Sequence, residues 1–481
     1  MSDIKKYFTN RRVVFFVVLL AVIISSVIPV TRLLMGKPIF AGETPYYDLR
    51  LSESIKQHGL VFGDDMIYGG REYLVKPYHL ILSLALNFVK PEYLILIPIF
   101  ASLVSLMLFY LLLKELKLNI RQKFFIMLVL LLSPSFIFIS GTLNEFSISI
   151  MLILAGLYLF IRSDRILPSL FIFLISILFG LINSIVILFL MLFVSGIEPE
   201  KQKKAKTILV STIVFSFLYH TSIYFTENIS SRFQILGVNH IQAFISDLGG
   251  LFGIGAYAVI LAGIGIIITW EYKQKLKNIY YLMIALILTA LYFDHALIYL
   301  NFFISIFAGL AFTSLLERRW EMEFLEEFTI LIMVYGLLFS AISYTERSIV
   351  SEPNINVQQS LNWLDHHSDP EDNIFSHYSN GFWIEYFAGR PVITDSLFDY
   401  QDAKIRFDDS NEIFYSRDLE KTKQLLDKYK IRYIFIDSAM KNGQIWDEKK
   451  GLWYLLSNSE TFNNVYEKNN IEIWEYKLLT E

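Results

Sequence analysis

The sequence predicts a polytopic α-helical membrane domain of about eleven spans, followed by a mixed α/β domain outside the bilayer. Three observations lead there. The 481 residues are 54% hydrophobic and 18% charged, with a mean hydropathy of +0.47, too apolar for an ordinary soluble chain of this size. Apolar runs near the length of a bilayer core recur between residues 13 and 344. The charges are also uneven: residues 345–481 hold 24 acidic and 15 basic residues, against 22 and 27 in residues 1–344. A membrane domain, 1–344, therefore gives way to an acidic soluble domain, 345–481.

In chain order the candidate spans are Val13 to Leu34, Tyr93 to Leu113, Phe124 to Ser140, Ser147 to Ile161, Ile166 to Leu181, Asn183 to Ser195, Thr207 to Phe225, Leu251 to Trp270, Ile279 to Phe293, Ala296 to Leu316 and Phe328 to Tyr344. The fifth and sixth are short enough to form one bent or re-entrant hairpin, broken around Gly180 and Asn183. Alternate connections carry 19 of the 27 Lys and Arg before residue 345. The positive-inside rule puts those connections, and the N-terminus, in the cytoplasm. An odd number of spans then places 345–481 beyond the plasma membrane, together with the outer loops 35–92 and 226–250. The first segment is expected to stay as an anchor, because no small-x-small cleavage site follows it.

Within the outer domain, Leu419 to Lys430 has helical spacing of its apolar residues, and Ile431 to Ile436 reads as a buried strand. Val465 to Tyr466 and Ile471 to Trp474 suggest a closing hairpin. A net charge of -4 offers no basic footprint for nucleic acid. The absence of cysteine leaves any metal to oxygen or imidazole ligands.

Three outer loops place acids near the hydrocarbon edge: Glu43, Asp48 and Glu53 in the first, Asn144-Glu145 in the second, and Glu227 directly after an apolar helix. An ionisable group there is costly unless paired, so acids from three loops suggest a shared Mg²⁺ or Mn²⁺ that also binds phosphate oxygens of a substrate. Taken singly, each acid is equally well a solvated loop residue. Arg50 and Lys76 could hold a phosphate or meet lipid head groups. His295 follows Asp294 near the outer end of two spans; alone, such a residue is more often a satisfied helix-end histidine than a ligand.

These runs, in this order, resemble the catalytic subunit of oligosaccharyltransferase, a GT-C membrane glycosyltransferase, and its archaeal members above all. Thr44-Pro45-Tyr46-Tyr47-Asp48-Leu49-Arg50 follows the frame of the first-loop motif, with Thr44 in place of its Asp and Asp48 in place of its His. Leu143-Asn144-Glu145 resembles the second motif with its first acid lost, and Thr226-Glu227 the close of a third. Residues 376–395 are similar to the segment around the WWDYG motif and its Ala-Gly-Arg-Pro-Val run, and Ile431 to Met440 to a later strand. WWDYG itself is replaced by His377-Tyr378-Ser379-Asn380-Gly381, which keeps only the Gly.

The resemblance implies transfer of a sugar or oligosaccharide from a polyprenyl-phosphate-type lipid donor to a protein or glycan acceptor at the outer membrane face. It implies Glu43, Asp48 and Glu145 as ligands of Mn²⁺ or Mg²⁺, with Glu227 orienting the acceptor or completing the metal shell. Glu43, Asp48 and Glu227 would be the catalytic acids, Arg50 and His295 would contact the donor phosphate, and His377, Tyr378, Ser379, Asn380 and Gly381 would meet the acceptor. With Ser379 where a sequon-reading carboxylate is usual, efficient selection of Asn-x-Ser/Thr is not expected. The degraded motifs also fit a non-catalytic relative that binds lipid-linked sugars or serves as a scaffold. A transporter is disfavoured, since no span carries a central charge.

Overall fold

The computed structural model describes residues 10–163, 165–194, 201–226, 241–398 and 400–477. The chain forms two compact units, one from Met1–Thr31, Tyr93–His220 and Leu236–Val350, the other from Arg32–Glu92, Thr221–Ile235 and Ser351–Glu481.

The first unit is helical, and each of the eleven apolar segments falls on a helix or a helix pair. By length and composition, Arg11–Leu34, Pro91–Glu115, Gln202–Tyr224, Ala296–Glu317 and part of Glu323–His367 can cross a bilayer. The third segment, expected as one straight span, is instead bent by 67° between Ile120–Leu131 and Pro134–Gly141. The break has a local cause. Pro134 brings no N–H, and Ser133 caps the new helix by accepting from the Phe136 amide at 3.3 Å. Asn301 fixes that serine by donating to its Oγ at 2.7 Å. Phe146–Arg162, Leu167–Ile177, Leu181–Phe193, Ala256–Thr269 and Lys277–Ala290 are shorter apolar helices. Where the sequence suggested a break near Gly180 and Asn183, Asn183 donates to the Ser176 carbonyl at 2.9 Å, which also accepts from the Phe179 amide at 3.2 Å, so a side chain reinforces the helix end.

Helix Ala296–Glu317 is buried along most of its length, and two glycines let neighbours reach it. A Cβ on Gly265 would lie 2.0 Å from the Phe307 carbonyl oxygen, and one on Gly309 would lie 2.5 Å from the Ile126 backbone. No methyl group fits at either crossing, so the helices pack backbone to backbone there.

The second unit is mixed. Its first piece supplies helix Thr44–His58, the short ribbon β1 (Gly63–Asp64) and β2 (Arg71–Glu72), and helix Pro77–Leu86. Its last piece supplies β3 (Asn373–Phe375), β4 (Ile431–Ile436), β5 (Phe462–Lys468) and β6 (Ile471–Tyr476) in the order β3-β4-β6-β5. β3 and β4 run parallel, and the remaining pairs are antiparallel. The strand at Ile431–Ile436 and a helix at Leu419–Lys428 lie where the sequence pattern places them. Asn469 and Asn470 join β5 to β6 with φ of +53° and +63°, the left-handed pair that a two-residue hairpin demands.

The two pieces are stitched together. Ile67 bridges Val392, and Tyr47, Leu51, Ile55 and Tyr73 enclose Phe382 in one small core. Arg32 closes the ends: its fully buried guanidinium donates to the carbonyls of Pro38 (2.8 Å), Ser351 (2.7 Å), Phe40 (3.1 Å) and Pro353 (2.9 Å).

Candidate functional site

In the second unit, helix Thr44–His58 begins with Pro45 in its first turn, a position where proline costs no hydrogen bond. Its N-terminal half is buried and carries Asp48 and Arg50, with Glu43 just before it. Asp48 is 11% exposed at its side chain and lies 2.9 Å from His79 Nε2 through Oδ1. A carboxylate can only accept, so Nε2 carries the hydrogen, and Nδ1 accepts from the Tyr73 hydroxyl. Burial lowers the His79 pKa against the pull of Asp48, which keeps the imidazole neutral. The result is a Tyr73–His79–Asp48 chain that fixes one carboxylate oxygen, while Oδ2 accepts no hydrogen bond among the described residues.

Glu43 accepts from Ser396 Oγ at 2.7 Å. Burial pushes its pKa up to about 7, against that hydrogen bond and with the nearby Asp395 charge adding to the rise. The sign of the consequence is fixed. The folded chain binds this proton more tightly than the unfolded one, so the stabilising contribution is present at low pH and lost as pH rises through about 7. Thermal melting from about pH 5 to about pH 8 should therefore show a steeper loss of stability in the natural chain than in Glu43→Gln. Parallel profiles would refute the assignment.

The expected role of Arg50 on a donor phosphate meets a different arrangement. Its guanidinium makes a two-pronged pair with Asp64 at 2.6 and 2.7 Å and lies 2.9 Å from Glu385. Arg71 grips Asp64 at 2.7 Å and Asp395 at 2.6 Å, all but excluded from solvent. Both guanidiniums lie over the Tyr47 ring, 5.7 and 5.1 Å from its centre. Burial opposes the Asp64 charge, but Arg50 and Arg71 outweigh it and hold that carboxyl below its usual range. Glu385 moves the other way: burial raises its pKa, and its contacts with the two guanidiniums are not aligned as hydrogen bonds. Three carboxylates facing two guanidiniums carry one negative charge too many, which fits the upward shift of Glu385. Arg50 thus anchors the helix that presents Asp48.

The same C-terminal segment also holds the helix start. Trp383 Nε1 donates to the Gly42 carbonyl at 3.1 Å, and Tyr386 donates to Glu53 at 3.3 Å. In the segment His377 to Gly381, His377 Nδ1 lies 2.7 Å from Ser379 Oγ, Asn380 is buried and donates to Ser376, and Gly381 is packed so tightly that a Cβ would lie 2.8 Å from Asp395.

The first unit carries Glu145 and His295. Asn144 forms a corner: its side chain accepts from the Ser147 amide at 3.1 Å and donates to the Thr142 carbonyl at 2.8 Å. Glu145 follows it at the start of helix Phe146–Arg162. The His295 ring stacks on Phe146 at 4.7 Å and packs against Phe252 at 4.6 Å. Glu227 lies outside the described residues, and among the described residues no three acids or imidazoles converge as a metal cage would require. Sequence reasoning missed His79, Tyr73, Asp64 and Arg71, for which no local pattern gives a signal.

No protein-family model matches the chain, and no curated protein matches it. Solved structures do. The archaeal oligosaccharyltransferase AglB from Archaeoglobus fulgidus, in complex with an inhibitory peptide and a dolichol-phosphate, superposes with a TM-score of 0.62 at 13% identity, covering 91% of this chain and 70% of that one. The same protein in complex with zinc and sulfate gives 0.62 at 13%, covering 96% and 73%. ArnT from Cupriavidus metallidurans, bound to undecaprenyl phosphate, gives 0.58 at 10%, covering 98% and 99%. These likenesses run through nearly the whole chain and show that it has the fold of AglB and ArnT, and its long apolar helices support an integral membrane protein.

Proposed function

We propose that this protein is a membrane glycosyltransferase that moves a sugar or oligosaccharide from a polyprenyl-phosphate-type donor to an acceptor at the outer face of the plasma membrane. The observation that carries the reading is the whole-chain likeness to two folds solved with a polyprenyl phosphate bound, dolichol-phosphate in one and undecaprenyl phosphate in the other. The first-loop acids support it. Asp48 offers one oriented and one open oxygen, the form in which a carboxylate meets a cation or takes a proton.

Mg²⁺ or Mn²⁺ suits this oxygen-only donor set, with Asp48 and Glu43 from the first loop as its holders. Such an ion would supply positive charge beside the donor phosphate as the leaving group becomes anionic. The chain's own contribution is positional. His79 orients Asp48, Ser396 orients Glu43, and the Arg50 cluster keeps their helix in place.

The test is direct: purified protein, a lipid-linked donor pool and Mn²⁺, with release of glycan from the lipid as the readout. Release is expected, and its absence across dolichol- and undecaprenyl-linked donors would favour a non-catalytic binder. Orientation has its own check. The chain has no cysteine, so a cysteine placed at Ser459 is expected to react with a membrane-impermeant maleimide in intact cells; labelling only after lysis would reverse the topology.

A further inference from the structure

The second unit carries an aromatic surface cluster in and beside the segment that the resemblance gives to the acceptor. The rings of Tyr378, Phe398 and Phe407 contact one another, with centroids 5.2 Å apart for Tyr378–Phe398, 6.1 Å for Tyr378–Phe407 and 5.6 Å for Phe398–Phe407. The His377 ring packs on Tyr378 at 4.0 Å. All four remain partly open to solvent. Phe398 is held at φ +50°, in the left-handed region that a bulky residue adopts at a cost of roughly 1 kcal/mol or more. Complete burial of its ring does not account for that cost.

Beside the rings lies a neutral polar edge. His377 Nδ1 is 2.7 Å from Ser379 Oγ, and the Gln444 amide reaches both, at 2.9 and 3.1 Å. With Nδ1 accepting, the hydrogen sits on Nε2. Burial takes the His377 pKa down to about 4, so the ring is uncharged at ordinary pH. Three groups then point to further partners: His377 Nε2–H as a donor, Gln444 Oε1 as an acceptor, and the Tyr378 hydroxyl as either.

We propose that this patch binds a neutral sugar ring. A pyranose presents a C–H face that stacks on aromatic rings and an edge of hydroxyls that both donate and accept. The cluster supplies those two surfaces side by side. Binding stands without the transfer reading; resting on that reading, the bound sugar belongs to the acceptor, which makes the acceptor a glycan rather than a peptide asparagine.

The experiment is saturation-transfer NMR on the full chain in lauryldimethylamine oxide, a detergent without a sugar head group, with maltotriose, cellotriose and mannotriose as probes. Saturation of ring C–H protons by at least one probe is expected. Affinity should fall at least fivefold in Phe398→Gly, which suits the left-handed backbone, and in Tyr378→Phe, which keeps the ring and removes only the hydroxyl. Tyr415→Ala, exposed elsewhere on this unit, should bind as the natural chain does. Asp48→Asn should bind sugar normally while losing glycan release, which separates this proposal from the transfer reading. The proposal fails if no probe binds, if Phe398→Gly and Tyr378→Phe bind unchanged, or if an Asn-x-Thr peptide, rather than a sugar, binds in a manner those two substitutions abolish.

Discussion

Arg71→Met is expected to destabilise the protein by about 3–5 kcal/mol, the usual cost of removing one partner from a buried ion pair. Arg71 spans Asp64 and Asp395 with both its neighbours and itself out of solvent. Its loss takes from Asp395 the guanidinium with which it pairs and leaves Asp64 to Arg50. The apolar stem of Met fills much of the same volume, so the cost arises from uncompensated charge more than from a cavity. Thermal unfolding in detergent is the measurement, and the double variant Arg71→Met with Asp395→Asn should recover part of the loss, because it removes one stranded charge. An unchanged melting temperature in the single variant would mean that the cluster is solvated rather than structural.

Asp48→Asn is expected to reduce glycan release by roughly 100-fold or more while leaving the melting temperature nearly unchanged. Asparagine keeps the shape and can still accept from His79 through its carbonyl oxygen, so only the charge is lost. His79→Phe should lie between the two: the carboxylate stays, its orientation is gone, and a smaller loss of turnover should accompany a lower response to Mn²⁺. Release within twofold of the natural chain in Asp48→Asn would remove Asp48 from the chemistry.

The helical part of this protein was legible because bilayer-length apolar runs leave a strong signal, and each of the eleven segments meets a helix. The bend at Ser133-Pro134 was written in the sequence as a cap followed by proline, but a continuous apolar run masks such punctuation. In the second unit, β4 stood out through its β-branched and aromatic content. The site was half legible. Glu43, Asp48 and Arg50 share one short run, which is why the sequence singles them out. What each side chain touches could not, since Arg71 pairs with a residue 324 positions away and Asp48 with one 31 away. That is why Arg50 looked like a phosphate ligand: a cation near acids has the same sequence whether its partner is a substrate or Asp64. Phe398 and Phe407 were invisible for a related reason, because tertiary contacts rather than any periodicity bring them to Tyr378.

The division of the second unit between early and late parts of the chain also governs its biosynthesis. Arg50, Asp64 and Arg71 are made long before Glu385 and Asp395, and at ordinary synthesis rates the ribosome needs roughly 10–50 s to travel from residue 92 to residue 351. During that interval the early half carries two guanidiniums and one carboxylate of the cluster, an unneutralised surface that must stay hydrated. It cannot close until the last quarter of the protein arrives. Synthesis of Glu385 and Asp395, rather than insertion of the last helix, is then the step that lets the helix bearing Asp48 acquire its final setting, and a chain truncated before Glu385 would be left open.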